Sequence, residues 1–223
     1  MTARSQLQGS PLQGPRHQGP RLQGARQLDL RCRCGRVSGV AHGVRPDAGL
    51  RVVCYCRYCQ AFARFLDRPD VLDAAGGTDI VQLPPARVRI VAGADAVRCM
   101  QLSRKIFRWY TDCCRTPIGN TAGPRIPFVG LIHCFISAGP SELDDALGAP
   151  RGQVNAESAT APLPPDAPPP LSRAVIARHI LRVFGWWLRG LGRPNPLFDA
   201  KTGAPISVPR VLTPEERAAL LPV

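Results

Sequence analysis

A chain of 223 residues with 44% hydrophobic content has enough apolar material for one ordinary domain plus extensions, which points to a folded, soluble protein rather than a polyelectrolyte tail. The formal charge of +13 does not by itself argue for nucleic acid, because nine of the excess charges are arginines in residues 1–27 and 171–193, stretches that contain no acid. The middle of the chain is only mildly basic, and no specific nucleic-acid partner is expected.

Residues 1–27 repeat Gln-Gly from Gln8, Gln13, Gln18 and Gln23, with Pro and Arg between, the composition of a disordered basic low-complexity tail. A basic arm for a polyanion is the functional alternative for this stretch. It has no apolar h-region and no cleavage-site pattern, so the expected compartment is the reducing cytoplasm.

From Leu28 to Ala138, short β-branched and partly alternating runs separated by Gly and Pro predict strands. They are LDLRC, RVSGVAHG, LRVVCYC, TDIVQL, RVRIV, VRCMQLS, IFRWY and FVGLIHCFI; only Arg57–Leu66 reads as a short helix. The expected fold class is therefore mainly β, with a domain over residues 28–150 whose cysteines sit at strand ends and turns. Ser141–Gly148 predicts a short capped helix ending on glycine.

Residues 151–170 are Pro-rich and read as a stiff extended linker. A helical and extended region follows over 171–223. In it Val175, Ile176, His179, Ile180, Val183, Phe184, Trp187, Leu188 and Leu191 recur at helical spacing, with Arg178, Arg182 and Arg189 largely off the stripe. Two arginines near its centre would cost about 2.5 to 3.5 kcal/mol each on insertion scales, so a membrane span is not expected. Tryptophan and arginine also suit a peripheral membrane contact. The expected arrangement nevertheless packs the stripe on the β domain or on a second copy, which admits a homodimer. Phe198–Val211 reads as turn-rich and extended, and Thr213, Pro214 and Glu216 form a capping box for a last short helix.

Nine cysteines, an odd number, at C-x-C and C-x-x-C spacings and without an export signal favour metal thiolates over disulfides. Thiolate sulfur is a soft donor that suits tetrahedral zinc. Cys54, Cys56 and Cys59 offer three ligands from one turn, which leaves a fourth position for water or substrate unless Cys99, Cys134, His42 or His133 closes it. Cys32 and Cys34, with Cys113 and Cys114 from the far side of the domain, form a second set fit for a structural zinc. Neighbours in a strand point opposite ways, so Cys114 is the firmer ligand of its pair. Cys99 and Cys134 lie in apolar runs and read as core, as do His133 and His179.

The order CRCG, CYCRYCQ, GTDIVQLP, FRWYTDCCRTPIGN is similar to the glutathione-dependent formaldehyde-activating enzyme family, also called the centromere-protein-V-like domain, over about Leu30 to Asn120. The resemblance implies a β-tent zinc fold with two zinc ions per chain and carbon–sulfur lyase activity. Carried over, Cys54, Cys56 and Cys59 hold the catalytic zinc, and Cys32, Cys34 and Cys114 the structural one. Two departures stand out: Tyr55 replaces the histidine of the family's C-H-C-x-x-C, and Thr111 stands where the late motif has its first cysteine, which leaves either Cys113 as a substitute or a site of three thiolates and another group.

On this reading a small-molecule thiol adduct, such as a glutathione–aldehyde conjugate, is the expected substrate, with Arg57 and Arg64 beside the cluster to receive carboxylates. No separate general base is evident, and no catalytic residue is assigned beyond the metal ligands. The alternative is a zinc-stapled binding module without chemistry that contacts a polyanion or a protein partner.

Overall fold

A computed structural model of the protein describes residues 25–103 and 105–221; the expected low-complexity tail lies almost wholly outside them. Alternating burial sets the first strands. In β1 (Arg26–Arg31) Leu28 and Leu30 turn inward between exposed neighbours. β2 (Ser38–Val44) pairs antiparallel with β1 on one side and with β5 (Val88–Ala92) on the other, giving a three-stranded sheet.

The larger sheet places β3 (Leu50–Cys54), β4 (Thr78–Leu83), β9 (Val129–Ile132), β8 (Pro117–Thr121), β7 (Ile106–Thr111) and β6 (Val97–Ser103) side by side, all antiparallel. Two-residue strands finish its edges in parallel, β10 (Gln153–Val154) on β3 and β11 (Arg210–Val211) on β6. Leu30, Ala41 and Val88 from the small sheet share one core with Val81, Trp109, Ile118 and Leu131 from the large one. The protein is thus mainly β, built of short antiparallel strands, with a helix toward its C-terminal end.

β8 is the strand that sequence pattern does not announce, because Pro117 and Gly119 read as turn residues. Pro117 opens the strand, where a missing N–H is tolerated. Gly119 is needed because a Cβ there would come within 2.5 Å of the Gly130 carbonyl oxygen on β9.

The edge at β3 is buried on both faces, and that places Arg51 at 7% exposure. Its guanidinium donates to both carboxylate oxygens of Asp79 on β4 (3.1 and 2.7 Å). It also donates to Asp144 (2.6 Å) and to the Gly148 carbonyl (2.9 Å) at the end of α2 (Pro140–Leu147). A buried cation must be paired, and this one ties two strands to a helix. α2 ends on Gly148 at φ 76, as expected, but its N-cap is Gly139 and Pro140 is its first residue, so Ser141 lies inside the helix.

The Pro-rich segment does not hang free. Gly152 and Val154 carbonyls accept from Val53 and Tyr55, and Gln153 exchanges backbone hydrogen bonds with Pro169 and Leu171. The segment forms a strap along β3 that delivers the chain to α3 (Arg173–Leu188), whose N-cap Ser172 accepts from Val175 N. Beyond α3, Leu197 and Phe198 enter the main core, where Phe198 meets Phe107 and Trp109 edge-on. The last helix, α4 (Pro214–Leu220), carries the expected capping box of Thr213 and Glu216.

α3 corrects an expectation. The face it presents to the domain is Val175, His179, Arg182 and Trp186, and only His179 and Trp186 are fully buried. Arg182, expected off the packing stripe, donates to the Gly49 carbonyl at 2.7 Å. Most of the expected stripe faces outward, with Ile180 62% and Trp187 59% exposed. The helix is apolar on more than one side, so periodicity cannot say which side docks. Among the described residues no helix is long and apolar enough to cross a membrane.

The docking of α3 turns on one neutral imidazole. His179 Nε2 lies 2.6 Å from Gln82 Oε1, and its Nδ1 is buried without a partner among the described residues. Burial, helped by the positive Arg182 beside it, pulls the His179 pKa down to about 4. The unfolded chain therefore takes up this proton first as the medium is acidified. Stability that is present above the ordinary histidine value of about 6.5 is lost progressively as pH falls to about 4. Urea unfolding midpoints measured across that window are expected to fall for the native chain and to fall less for His179→Gln, which retains a donor for Gln82.

Candidate metal centres

The first centre joins the two sheets. Cys32 and Cys34 leave β1 in a tight loop in which Gly35 N donates to the Cys32 carbonyl and Val37 N lies 3.2 Å from the Cys32 sulfur. Gly35 holds φ 81, and a Cβ there would strike the Arg31 guanidinium at 2.6 Å. Cys113 and Cys114 sit in the turn between β7 and β8, closed by Thr111 N to the Thr116 carbonyl, with Arg115 in the left-handed region at φ 54. Because the pair occupies a turn and not a strand, both side chains reach the same side, and Cys113 joins the set as firmly as Cys114. The sulfurs of Cys32, Cys34, Cys113 and Cys114 all lie within 4.8 Å of one another and can hold a metal ion.

Thr111 has a use in this turn. Its hydroxyl lies 3.4 Å and that of Thr116 3.2 Å from the Cys114 sulfur. Burial works to raise the Cys114 thiol, but these contacts and Cys34 outweigh it and hold Cys114 at about 5. Cys113, the preceding residue, is pushed up to about 12, by burial first and then by its thiol neighbours. A cluster in which one thiol is held well below its ordinary range is a ready soft-donor site.

The second centre is built where β3 runs into a helix. Cys54 ends β3, Cys56 is the N-cap of α1 (Arg57–Phe65), and Cys59 lies in the first turn of that helix, its N–H donating to the Cys56 carbonyl at 2.9 Å. Their three sulfurs also lie within 4.8 Å of one another, and no further Cys, His, Asp or Glu of the described residues joins the group. The Cys56 thiol is pulled far down, because Cys54 and Cys59 donate to it at the N-terminus of a helix, while Cys54 and Cys59 are pushed up in exchange.

Around this centre lie two groups that its sequence motif does not contain. Arg108 on β7, 5% exposed, places Nη1 at 3.9 Å from the Cys59 sulfur and 3.2 Å from Asn120 Oδ1. Asn155, on the strap at φ 58, places Nδ2 at 3.7 Å from the Cys54 sulfur. Neither is announced by spacing, since Arg108 reads as an ordinary strand residue and Asn155 lies a hundred positions from the cluster. Tyr55, between Cys54 and Cys56, is buried and donates to Asp73 at 3.0 Å, so its hydroxyl is engaged away from the cluster.

The other candidates divide. Cys99 is buried and Cys134 lies 3.8 Å from the Pro117 carbonyl; burial pushes both thiols up to about 12, and neither belongs to a centre. His133 approaches only the Asp79 carbonyl, at 3.4 Å, and His42 is exposed. Arg64 is occupied, donating twice to the Leu220 carbonyl (3.0 and 2.8 Å). Arg57, next to Cys56, instead lines a groove of about 430 Å³ with Tyr58, Leu212, Pro214 and Arg217. Arg217 and Arg57 draw the Tyr58 phenol below its ordinary range, with Arg217 the larger influence.

The two centres differ in what they hold together, and removal of a ligand separates them. Cys114→Ser removes a sulfur from the staple between sheets and is expected to lower metal content and the unfolding midpoint together. Cys56→Ser is expected to lower metal content by about half while the fold survives, because β3, α1 and the strap remain packed around it. Elemental analysis paired with thermal unfolding of the two variants reads both effects.

No curated protein matches the chain. Among solved structures, the crystal structure of a Rhodobacter sphaeroides protein is similar over 53% of this chain and 97% of its own, at 17% identity and a TM-score of 0.36. Residues 25–208 match the model of a family described as "Family of unknown function (DUF6151)", and the chain belongs to that family.

Proposed function

We propose that the protein is a zinc-dependent carbon–sulfur lyase-like enzyme acting on a thiol adduct, with Cys54, Cys56 and Cys59 as the catalytic metal ligands and Cys32, Cys34, Cys113 and Cys114 as ligands of a structural zinc. The observation that carries this reading is the charge balance at the three-cysteine centre. Three thiolates around a divalent zinc leave one net negative charge, and the buried Arg108 beside Cys59 supplies one positive charge. At rest, water as a neutral fourth ligand completes that balance, and it is a ligand that a substrate sulfur can displace, so the donor set fits a zinc with one exchangeable position. When bound there, zinc supplies the electrophilic stabilisation that keeps a substrate sulfur as thiolate at neutral pH.

The remaining roles belong to the chain. Arg108 stabilises negative charge on the cluster, and the Asn155 amide fixes the Cys54 side from above. Arg57 and Arg217, which line the groove beginning one residue after Cys56, are the cations that would receive the carboxylates of a peptide-like thiol such as glutathione. The order of cysteine motifs, similar to the glutathione-dependent formaldehyde-activating family, supports the same chemistry. Tyr55 offers no acid or base to it.

A second reading is favoured by one feature. Leu171, Val175 and Asn155 of the strap and α3 pack against the three-cysteine centre, as they would around a metal that only staples. Titration calorimetry of glutathione into zinc-loaded protein separates the two. Binding is expected, and Arg57→Glu and Arg217→Glu are each expected to weaken it about tenfold, at about 1.5 kcal/mol for a lost charged hydrogen bond. The same samples, given formaldehyde and glutathione, are expected to speed formation or cleavage of the S-hydroxymethyl adduct. Zinc-loaded protein that binds no glutathione would leave the stapled binding module as the reading that stands.

A further inference from the structure

The outward side of α3 is an apolar surface without cover among the described residues. Ile176, Ile180, Leu181, Phe184, Trp187 and Leu188 are each between 40% and 69% exposed, on a helix whose opposite side is fixed to the domain through His179 and Trp186. At 100° per residue these six side chains fall within one arc of about 140°, with Val183 at its margin. Arg178 and Arg189 lie between that arc and the docked face, and both are exposed. A helix with this surface is solvated at a cost unless something apolar meets it.

The apolar arc runs into a basic pocket. Trp187 also lines a cavity of about 550 Å³ at the C-terminal end of α3, together with Arg125, Arg193, Lys201 and three glycines. Among the described residues, no acidic one lines it. The neighbouring carboxylate, Asp199, is turned to its own loop, where Oδ1 accepts from the backbone of Lys201 and Thr202. Residues 171–193 contain five arginines and no acid.

We propose that α3 and this pocket form a docking surface for an anionic phospholipid bilayer. α3 lies in the plane of the interface with Phe184, Trp187 and Leu188 among the acyl chains. Arg178 and Arg189 sit at headgroup level, and a lipid phosphate enters the pocket of Arg125, Arg193 and Lys201. Charge chooses this occupant over a second copy. An antiparallel two-fold pairing of α3 would set Arg178 and Arg189 against their own images, and residues 171–193 supply no acid to pair them, whereas an anionic surface pairs all of them at once. Because α3 is held to the β domain from behind, contact of this kind leaves the fold intact.

The test is flotation of the full chain with vesicles of equimolar phosphatidylcholine and phosphatidylglycerol, and with phosphatidylcholine alone. The native protein is expected to float with the mixed vesicles, to be released as salt rises, and to bind far less to the neutral ones. Phe184→Ser combined with Leu188→Ser, and separately Arg193→Glu combined with Lys201→Glu, are each expected to reduce partitioning about tenfold or more. All four positions lie on this surface, so unchanged metal content and circular dichroism certify that the variants are folded. In the Arg193→Glu, Lys201→Glu variant, Trp187 emission is expected to lose the blue shift that mixed vesicles give the native chain. No flotation with mixed vesicles, or flotation unaltered by both variants, overturns the proposal. A concentration-dependent dimer that Phe184→Ser abolishes, without flotation, overturns it in favour of a second copy.

Discussion

Four sulfurs from two separate loops crowd within 4.8 Å of one another, and this crowding is the constraint from which the rest of the structure can be followed. One loop closes the small sheet between β1 and β2, and the other is the turn between β7 and β8 in the large sheet. With all four as thiolates the repulsion would be strong; a metal cation bound there would offset it and would fix one sheet against the other. With that junction set, Trp109, Ile118 and Leu131 are brought over Leu30 and Val37, and the core is closed. Metal affinity at this point would be folding free energy, because the unfolded chain does not bring Cys32 and Cys113 together.

The second cluster is organised on a different plan. Its thiols come from six residues of local chain, a strand end and the start of the helix that follows, so local geometry alone gathers them. What long-range structure adds is electrostatic. Arg108 arrives from β7 and Asn155 from the strap, a cation and a dipole aimed at the sulfurs from opposite parts of the chain. The C-terminal region thus contributes to the site as well as to the fold: the strap reaches Cys54, and α4 sets one wall of the groove beside Cys56.

Much of this was legible in the sequence, and the legible parts share a cause. Strands such as TDIVQL and VRCMQLS, the Gly148 stop of α2 and the Thr213 capping box are local signals, and each appears where the residues announce it. The cysteine sets were readable because C-x-C and C-x-x-C spacing carries ligand geometry within one turn. β8 was hidden by Pro117 and Gly119, whose presence answers a close approach to Gly130 that only the assembled sheet reveals. Cys113 was undervalued because a strand was expected where Arg115 makes a turn. The docked face of α3 could not be read at all: with apolar residues on more than one side, the choice was made by Gln82 accepting from His179 and Gly49 from Arg182, partners more than ninety positions away.

The central claim is that one centre is closed by four sulfurs and the other by three with an exchangeable place, and zinc K-edge X-ray absorption on the purified protein tests it most directly. The predicted spectrum is a sulfur shell containing a minority of a lighter donor, which converts to sulfur alone when glutathione is added. A shell of sulfur only from the outset, unchanged by glutathione, would contradict it and leave both centres as staples.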